Sequence, residues 1–181
     1  FGPSLLLENQ HAQTGALSFV DVTEKVGLSK EHHTSLAATF FDYDQDGVLD
    51  LYVANALVTH LPGYEQPTPL NVPKPQYEGD RRALRFMHNG GHDADNGGVN
   101  GLYRGNGEGG FTKLDLGLDE TRWSLAICTI DLNHDGLTDL YIANDFGPDR
   151  VYLNRGKNQG FDSVISARYG QVGKATYKGM N

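Results

Sequence analysis

Short apolar runs separated by polar, glycine-rich turns recur along this chain, and this pattern predicts strands rather than helices. The runs are rich in β-branched and aromatic residues, which favour strands, and clusters of Gly, Asp and Asn bound them. Gly makes up 23 of the 181 residues, as expected where many tight turns join short strands. The predicted strands cover about residues 18–22, 36–41, 50–55, 101–104, 110–114, 125–130, 139–144, 150–153 and 160–165.

Two of the turns carry the same series of acidic positions. One spans residues 42–50, with the sequence DYDQDGVLD, and the other spans residues 131–139, with the sequence DLNHDGLTD. Side-chain oxygens at positions 1, 3, 5 and 9, with the backbone carbonyl at position 7, can surround one calcium ion at roughly 2.3–2.6 Å. Glycine at position 6 allows the sharp turn, and the crowded carboxylates would repel one another without a cation. The spacing therefore predicts two calcium-binding loops.

Two other interpretations of these loops explain less of the sequence. A solvated acidic turn would account for one loop, but not for a second copy followed by the same Leu-Tyr-(Val/Ile)-Ala-Asn segment. An EF-hand needs a bidentate Glu at position 12 and a helix on each side. Position 12 is Val53 in one loop and Ile142 in the other, and the segments that follow are typical of strands.

The loops belong to a longer internal repeat. Residues 40–55 and 129–144 share eight identities in sixteen positions. The loops start 89 residues apart, but the first unit contains residues 56–100 where the second has only residues 145–150, which leaves a basic repeat of about 50 residues. That length fits a four-stranded propeller blade. We therefore predict an all-β fold of four-stranded antiparallel blades.

The predicted divisions follow from this repeat. They are an N-terminal extension (1–17), the last strand of a preceding blade with a linker (18–35), a blade with a calcium loop and an insertion at 56–100 (36–123), a second blade with a calcium loop (124–170), and the start of a further blade (171–181). A closed propeller needs about four blades or more, so two blades and a flanking strand predict a partial propeller. We expect that the sequence is a piece of a longer polypeptide or that other chains complete it.

These motifs resemble the FG-GAP or VCBS repeats of integrin-α-like β-propellers. The chain is similar to bacterial secreted proteins of the cartilage-acidic-protein type, which are associated with ASPIC/UnbV repeats. The resemblance rests on the Asp-rich loops, the Leu-Tyr-(Val/Ile)-Ala-Asn strands and the Phe-x-Asp-Val-Thr segment, and it covers about residues 18–55 and 101–181. It implies two structural calcium ions, bound by Asp42, Asp44, Asp46, Val48 (carbonyl) and Asp50, and by Asp131, Asn133, Asp135, Leu137 (carbonyl) and Asp139.

The second loop departs from the pattern because Asn133 replaces an aspartate at position 3. Ligand charge helps to set calcium affinity, so the second loop is expected to bind more weakly than the first. Calcium sites of extracellular modules commonly work near 10⁻⁴ to 10⁻³ M. We therefore expect an extracellular, cell-surface or periplasmic location.

Charge and composition limit the partners. The formal net charge of −8 argues against nucleic acid, and no apolar stretch has the length that a membrane span requires. Cys128 is the single cysteine and lies in an apolar run, which predicts a buried core residue. The expected function is binding of a protein or glycan partner, or assembly, by a calcium-stabilised module.

Two alternative functions remain open at this stage. An enzyme, such as a polysaccharide lyase or hydrolase, could use the polar part of the insertion at 86–97, which contains His88, His92, Asp93 and Asp95. A polar glycine-rich turn that leads into the strand at 101–104 is the favoured interpretation of that segment. A structural subunit of a ring or filament could instead self-assemble through open blade edges.

Overall fold

A computed structural model describes residues 2–28, 32–57, 97–118, 120–145 and 148–164. Within these ranges the chain forms eleven strands and one short helix. In chain order they are β1 (Gly2–Pro3), β2 (Leu7–Asn9), α1 (His11–Thr14), β3 (Phe19–Asp21), β4 (His32–Phe41), β5 (Asp50–Leu57), β6 (Gly101–Gly105), β7 (Phe111–Leu114), β8 (Trp123–Ile130), β9 (Asp139–Asp145), β10 (Arg150–Asn154) and β11 (Phe161–Val164).

Eight of the strands form two antiparallel sheets with the same meander order. The first sheet runs β4, β5, β6 and β7, with β1 added beside β4, and the second runs β8, β9, β10 and β11. Strands β2 and β3 pair separately as an antiparallel ribbon. In both sheets the Asp-rich loop joins the first two strands of the meander.

Both sheets also contain the same irregularity near the start of the meander. Ser35 pairs with Asn55, and Ser124 pairs with Asn144, and the register shifts immediately after each serine. The serine hydroxyl donates to the asparagine side-chain oxygen in each pair, at 2.7 Å and 2.9 Å. A bulge of this kind leaves polar backbone groups without a partner in the ladder. In each sheet the paired serine and asparagine side chains lie beside the bulge.

The hydrophobic core lies between the two sheets. Strand β8 packs across β4 and β5, and the buried cluster draws residues from both sheets, namely Phe41, Tyr43, Tyr52, Leu102, Leu118, Leu140, Ile142 and Tyr152. Burial of a large apolar side chain stabilises a fold by about 1.5–3 kcal/mol. This face-to-face packing fixes the first Asp-rich loop beside the second sheet.

The all-β prediction with antiparallel strands is confirmed. Strands lie at each predicted position, although β4 begins at His32, four residues before the predicted start. The strands β1 and β2 and the helix α1 lie in the segment that was predicted only as an extension. A closed propeller is not formed by the described residues, and the predictions for residues 58–96 and 165–181 lie outside them.

Cys128 was predicted to be a buried core residue, and that prediction is wrong. The thiol-bearing residue is exposed. Burial alternates along β8, where Ile127 and Thr129 are partly buried while Cys128 and Ile130 are exposed. An apolar run of this length does not reveal which strand face is covered, because successive side chains point to opposite faces. No helix within the described ranges is long and apolar enough to cross a membrane.

Candidate metal site

The two Asp-rich loops fold in the same way. The carboxylate at position 1 accepts hydrogen bonds from the backbone N–H groups of positions 5 and 6, at 3.1 Å and 2.9 Å for Asp42 and at 3.2 Å and 3.0 Å for Asp131. The residue at position 4 has a left-handed conformation in both loops, with φ of 56° at Gln45 and 62° at His134. The glycine at position 6 also has a positive φ, 82° at Gly47, which confirms why that position needs glycine.

The aspartate at position 9 fastens each loop to the sheet. Asp50 accepts hydrogen bonds from the backbone N–H groups of Tyr43, at 3.0 Å, and Gly105, at 2.9 Å. Asp139 accepts the same two bonds from Leu132 and Asn154, both at 2.8 Å. Both carboxylates are buried. Each therefore joins the start of its loop to the end of the third strand of its meander.

Burial raises the pKa of Asp50, although its two N–H donors act in the opposite direction. The neighbouring carboxylates Asp44 and Asp46 raise this pKa further. A cation beside these groups would favour their charged forms.

Three carboxylates of the first loop converge. One oxygen atom each of Asp42, Asp44 and Asp50 lies within 4.8 Å of the others. Hard cations such as calcium take oxygen ligands, and a set of three converging carboxylates matches that requirement. Within the part of the chain that the structure describes, this is the one group of three or more His, Cys, Asp or Glu residues with such geometry.

Asp44 is the unusual member of this group. Its side chain is fully buried, yet neither of its carboxylate oxygens has a hydrogen-bond partner among the described residues. Its charge is partly balanced by Arg104, whose Nη2 atom lies 3.0 Å from Oδ2 without hydrogen-bond geometry. A buried carboxylate that makes no hydrogen bond is costly, so this side chain has capacity for a ligand.

Asp46, a predicted ligand, does not join the converging group. Its Oδ1 accepts from the backbone N–H of Val48 at 2.9 Å, and its Oδ2 accepts from Arg104 at 3.2 Å. The bond from Val48, followed by that from Arg104, lowers the pKa of Asp46. Asp46 lies beside the cluster and is occupied by other donors.

The second loop has a different interior. Asn133 donates its side-chain amide to Asp135 at 2.8 Å, and its oxygen accepts from the backbone N–H of Asp135 at 3.0 Å. The backbone N–H of Leu137 donates to Asp135 at 2.8 Å and is the main cause of the lowered pKa of that carboxyl. The backbone fold of the first loop is thus repeated, but Asn133 bonds within its own loop and does not add a fourth carboxylate.

The first loop makes direct contacts with the second loop and with strands of the second sheet. The side-chain amide of Gln45 donates to the carbonyl of Gly136 at 2.6 Å, and the side-chain amide of Asn154 donates to the carbonyl of Tyr43 at 2.7 Å. The ring of Tyr43 packs against Phe161, with centroids 6.3 Å apart. Tyr43 therefore extends from position 2 of the first loop into the packing of the second sheet.

Sequence reasoning missed several residues that surround the first loop. Arg104, Lys157 and Asn154 all contact it. Alignment of the two repeats places Arg104 opposite Leu153 and Gly105 opposite Asn154. The two units therefore differ at both positions, and a comparison of the units could have singled out Arg104 and Asn154. The carbonyl groups of Val48 and Leu137 remain predicted ligands, and His88, His92, Asp93 and Asp95 lie outside the described residues.

No protein-family model matches this chain, and no curated protein matches it. The fold and the two loops are therefore the evidence for the class of this protein. They define an all-β protein with repeated antiparallel sheets and an acidic oxygen site at the junction of two of them.

Proposed function

We propose that this chain is a calcium-stabilised β-propeller segment of the FG-GAP or VCBS type, acting as a binding or assembly module outside the cell. The observation that carries the proposal is the buried carboxylate of Asp44, which makes no hydrogen bond and converges with Asp42 and Asp50. A divalent cation would offset the cost of burying that charge. Calcium fits better than a transition metal because the group offers only oxygen atoms.

Each ion would be held by its own loop. Asp42, Asp44 and Asp50 would bind the first, with Asp46 and the carbonyl of Val48 completing the shell. Asp131, Asn133, Asp135, Asp139 and the carbonyl of Leu137 would bind the second. The ion would supply positive charge and cross-link the loop to its sheet, and its role would be structural.

The proposed location follows from the expected affinity. Loops of this size in extracellular modules commonly bind calcium near 10⁻⁴ to 10⁻³ M, so they would be filled outside a cell and largely unfilled in cytosol. The proposed partner is a protein or a glycan at a cell surface. An acidic chain of net charge −8 is poorly suited to nucleic acid.

Thermal unfolding with calcium, with magnesium and with a chelator tests the proposal. We expect calcium to raise the melting temperature, because a ligand that binds only the folded state stabilises it by mass action. Asp46→Ala and Asp135→Ala should each lose part of that increase. Asp115→Ala, at an exposed position outside both loops, is the matched control and should keep all of it.

Equal melting of the wild-type chain in calcium and in chelator would contradict the proposal. An equal response to magnesium and calcium would contradict the assignment of the metal, since magnesium demands a smaller, near-octahedral shell.

Self-assembly as a structural subunit is a second candidate function, favoured by the apolar outer face of the first sheet. Leu36 and Phe40 are exposed there, and they line a groove of about 410 Å³ together with Leu51, Val53 and the segment around Leu5. Sedimentation at several protein concentrations tests it. A single species of unchanged mass across the range would remove self-assembly from consideration.

A further inference from the structure

Two cationic side chains of this chain reach the carboxylates of the first loop. The Nη2 atom of Arg104 lies 3.0 Å from Oδ2 of Asp44 and 3.2 Å from Oδ2 of Asp46. The Nζ atom of Lys157 lies 3.5 Å and 3.8 Å from the same two oxygens. Arg104 belongs to β6, in the same sheet as the loop, whereas Lys157 belongs to the turn between β10 and β11 of the other sheet. Both cations therefore converge on oxygens that a bound calcium ion would need.

The second loop is not arranged in this way. Arg104 directly precedes Gly105, whose N–H bonds to Asp50. Leu153 directly precedes Asn154, whose N–H bonds to Asp139. Leu153 therefore occupies the place of Arg104 in the second unit, and it is buried. Among the described residues, the ion pairs that join a loop carboxylate to a lysine or arginine all involve the first loop.

Arg155 directly follows Asn154, whose N–H bonds to Asp139 of the second loop. It forms an ion pair with Asp162 on β11. The second loop therefore keeps three carboxylates with little internal neutralisation, while the first loop has four carboxylates opposed by two nearby cations.

These charges act directly on calcium affinity. A guanidinium or ammonium group a few ångströms from a bound divalent ion repels it, and this repulsion weakens as the distance and the solvent screening increase. Binding would also require the ion pairs with Asp44 and Asp46 to lengthen or break. If only the loop carboxylates are counted, the first loop is expected to bind calcium more tightly. If the nearby cations are counted as well, the second loop is expected to bind calcium more tightly.

We propose that Arg104 and Lys157 are internal competitors that lower the calcium affinity of the first loop, so that the second loop fills at the lower calcium concentration. The inference rests on the proposed function, because it assumes that both loops bind calcium. It reverses the order expected from Asn133. It also means that filling of the first loop releases Lys157 from Asp44 and Asp46.

Calcium titration of the whole chain, by calorimetry or against a chromophoric chelator, tests the order of filling. We expect two phases in the wild-type chain. Asp135→Ala should remove the tighter phase, and Asp46→Ala should remove the weaker one. The opposite assignment would overturn the inference.

Arg104 and Lys157 are tested in the Asp135→Ala background, where calcium binding by the first loop is measured alone. Arg104→Leu installs the residue that the second unit has at this place, and it should tighten calcium binding by about tenfold or more. Lys157→Gln should tighten it by a smaller factor, because Lys157 is farther from the carboxylates and more exposed. Lys113→Gln makes the same change in net charge at an exposed position on β7, and it should leave the affinity within about twofold.

The outcomes separate the two proposals. Calcium binding that is unchanged or weaker in both Arg104→Leu and Lys157→Gln would overturn the inference while leaving the proposed function intact. An absence of calcium binding in the wild-type chain would overturn the proposed function itself. If Arg104→Leu does not fold, the exposed Lys157→Gln change carries the test, and an affinity equal to that of Lys113→Gln would then overturn the inference.

Discussion

The side-chain amide of Asn154 donates to the backbone carbonyl of Tyr43 at 2.7 Å, and this bond joins the end of β10 to the first Asp-rich loop. The same amide donates to the carbonyl of Thr138 at 3.0 Å, and its oxygen accepts from the N–H of Gly156 at 2.8 Å. Asn154 is fully buried. One side chain therefore holds the end of β10, the second loop and position 2 of the first loop together.

Asn154→Ala removes all three of these bonds, of which the one to Tyr43 is buried and the other two are partly buried. We expect the free energy of unfolding to fall by about 3 kcal/mol, since each buried group left without a partner costs about 1–3 kcal/mol and part is recovered by relaxation. Chemical denaturation measures the loss. Asn106→Ala is the matched control, because Asn106 makes two turn bonds at an exposed site. A loss no larger than that of the control would show that Asn154 does not hold the loops together.

Tyr43→Phe should stabilise the chain or leave it unchanged. The ring of Tyr43 is buried in the core beside Phe161, but its hydroxyl makes no hydrogen bond with the described residues. Burial raises the pKa of this hydroxyl, as expected for a polar group without a partner. Removal of an unsatisfied buried hydroxyl is expected to raise the free energy of unfolding by about 1 kcal/mol. A clear loss of stability on denaturant unfolding would mean that the hydroxyl has a partner in solution.

Asn100 and Asp149 occupy equivalent places in the two units, and their exchange gives a further prediction. Asn100 accepts from the N–H of Asn55 and donates to the hydroxyl of Ser124 in the next sheet, at 2.7 Å and 2.9 Å. Asp149 accepts from the N–H of Asn144 and from the hydroxyl of Tyr141. The unit that has an amide at this place, Asn100, is therefore the one in which the neighbouring sheet supplies an acceptor, the hydroxyl of Ser124.

Asn100→Asp would place a buried charge against Ser124, whose hydroxyl hydrogen is already directed to Asn144. We expect a loss of about 2–4 kcal/mol in the free energy of unfolding. The reverse change, Asp149→Asn, keeps an oxygen for the N–H of Asn144 at a partly exposed site, and should cost about 1 kcal/mol. Similar losses in the two variants would contradict the assigned direction of the Asn100 bond.

Much of the fold could be predicted because the sequence states it twice. Position 9 of each loop, Asp50 and Asp139, could be assigned to a turn that joins two strands, and the structure gives each the same two N–H donors. The bulges at Ser35 and Ser124 could have been expected from the shared Ser-Leu-Ala that opens each unit. Local signals repeated at a fixed spacing are the ones that a sequence carries most clearly.

The surroundings of the candidate site could not be predicted in the same way. Arg104 and Lys157 are 62 and 115 residues from Asp42 in the chain, and only the packing of the two sheets brings them to Asp44. The exposure of Cys128 likewise depends on which face of β8 is covered, and that is settled by the neighbouring sheet. Long-range packing therefore determines which charges surround a loop whose own conformation is local.

Glu120 gives the last prediction, on the dependence of stability on pH. It is largely buried between the sheets, where Arg150 lies 3.1 Å and Arg122 lies 3.6 Å from its Oε2 atom. Burial raises its pKa above the usual 4.5, and this effect outweighs the two arginines and the hydrogen bonds from Asn144 and Tyr152.

Between the unfolded and folded pKa values of Glu120, the folded chain binds more protons than the unfolded chain. Stability contributed by Glu120 is therefore fully present below about pH 4.5 and is lost as the pH rises through the folded pKa. The unfolding free energy of wild type minus that of Glu120→Gln should accordingly fall from pH 4 to pH 7, measured by urea unfolding in chelator. A difference that grows with pH would mean that the arginine pairs outweigh burial. Glu108→Gln, at an exposed turn, should show no such change.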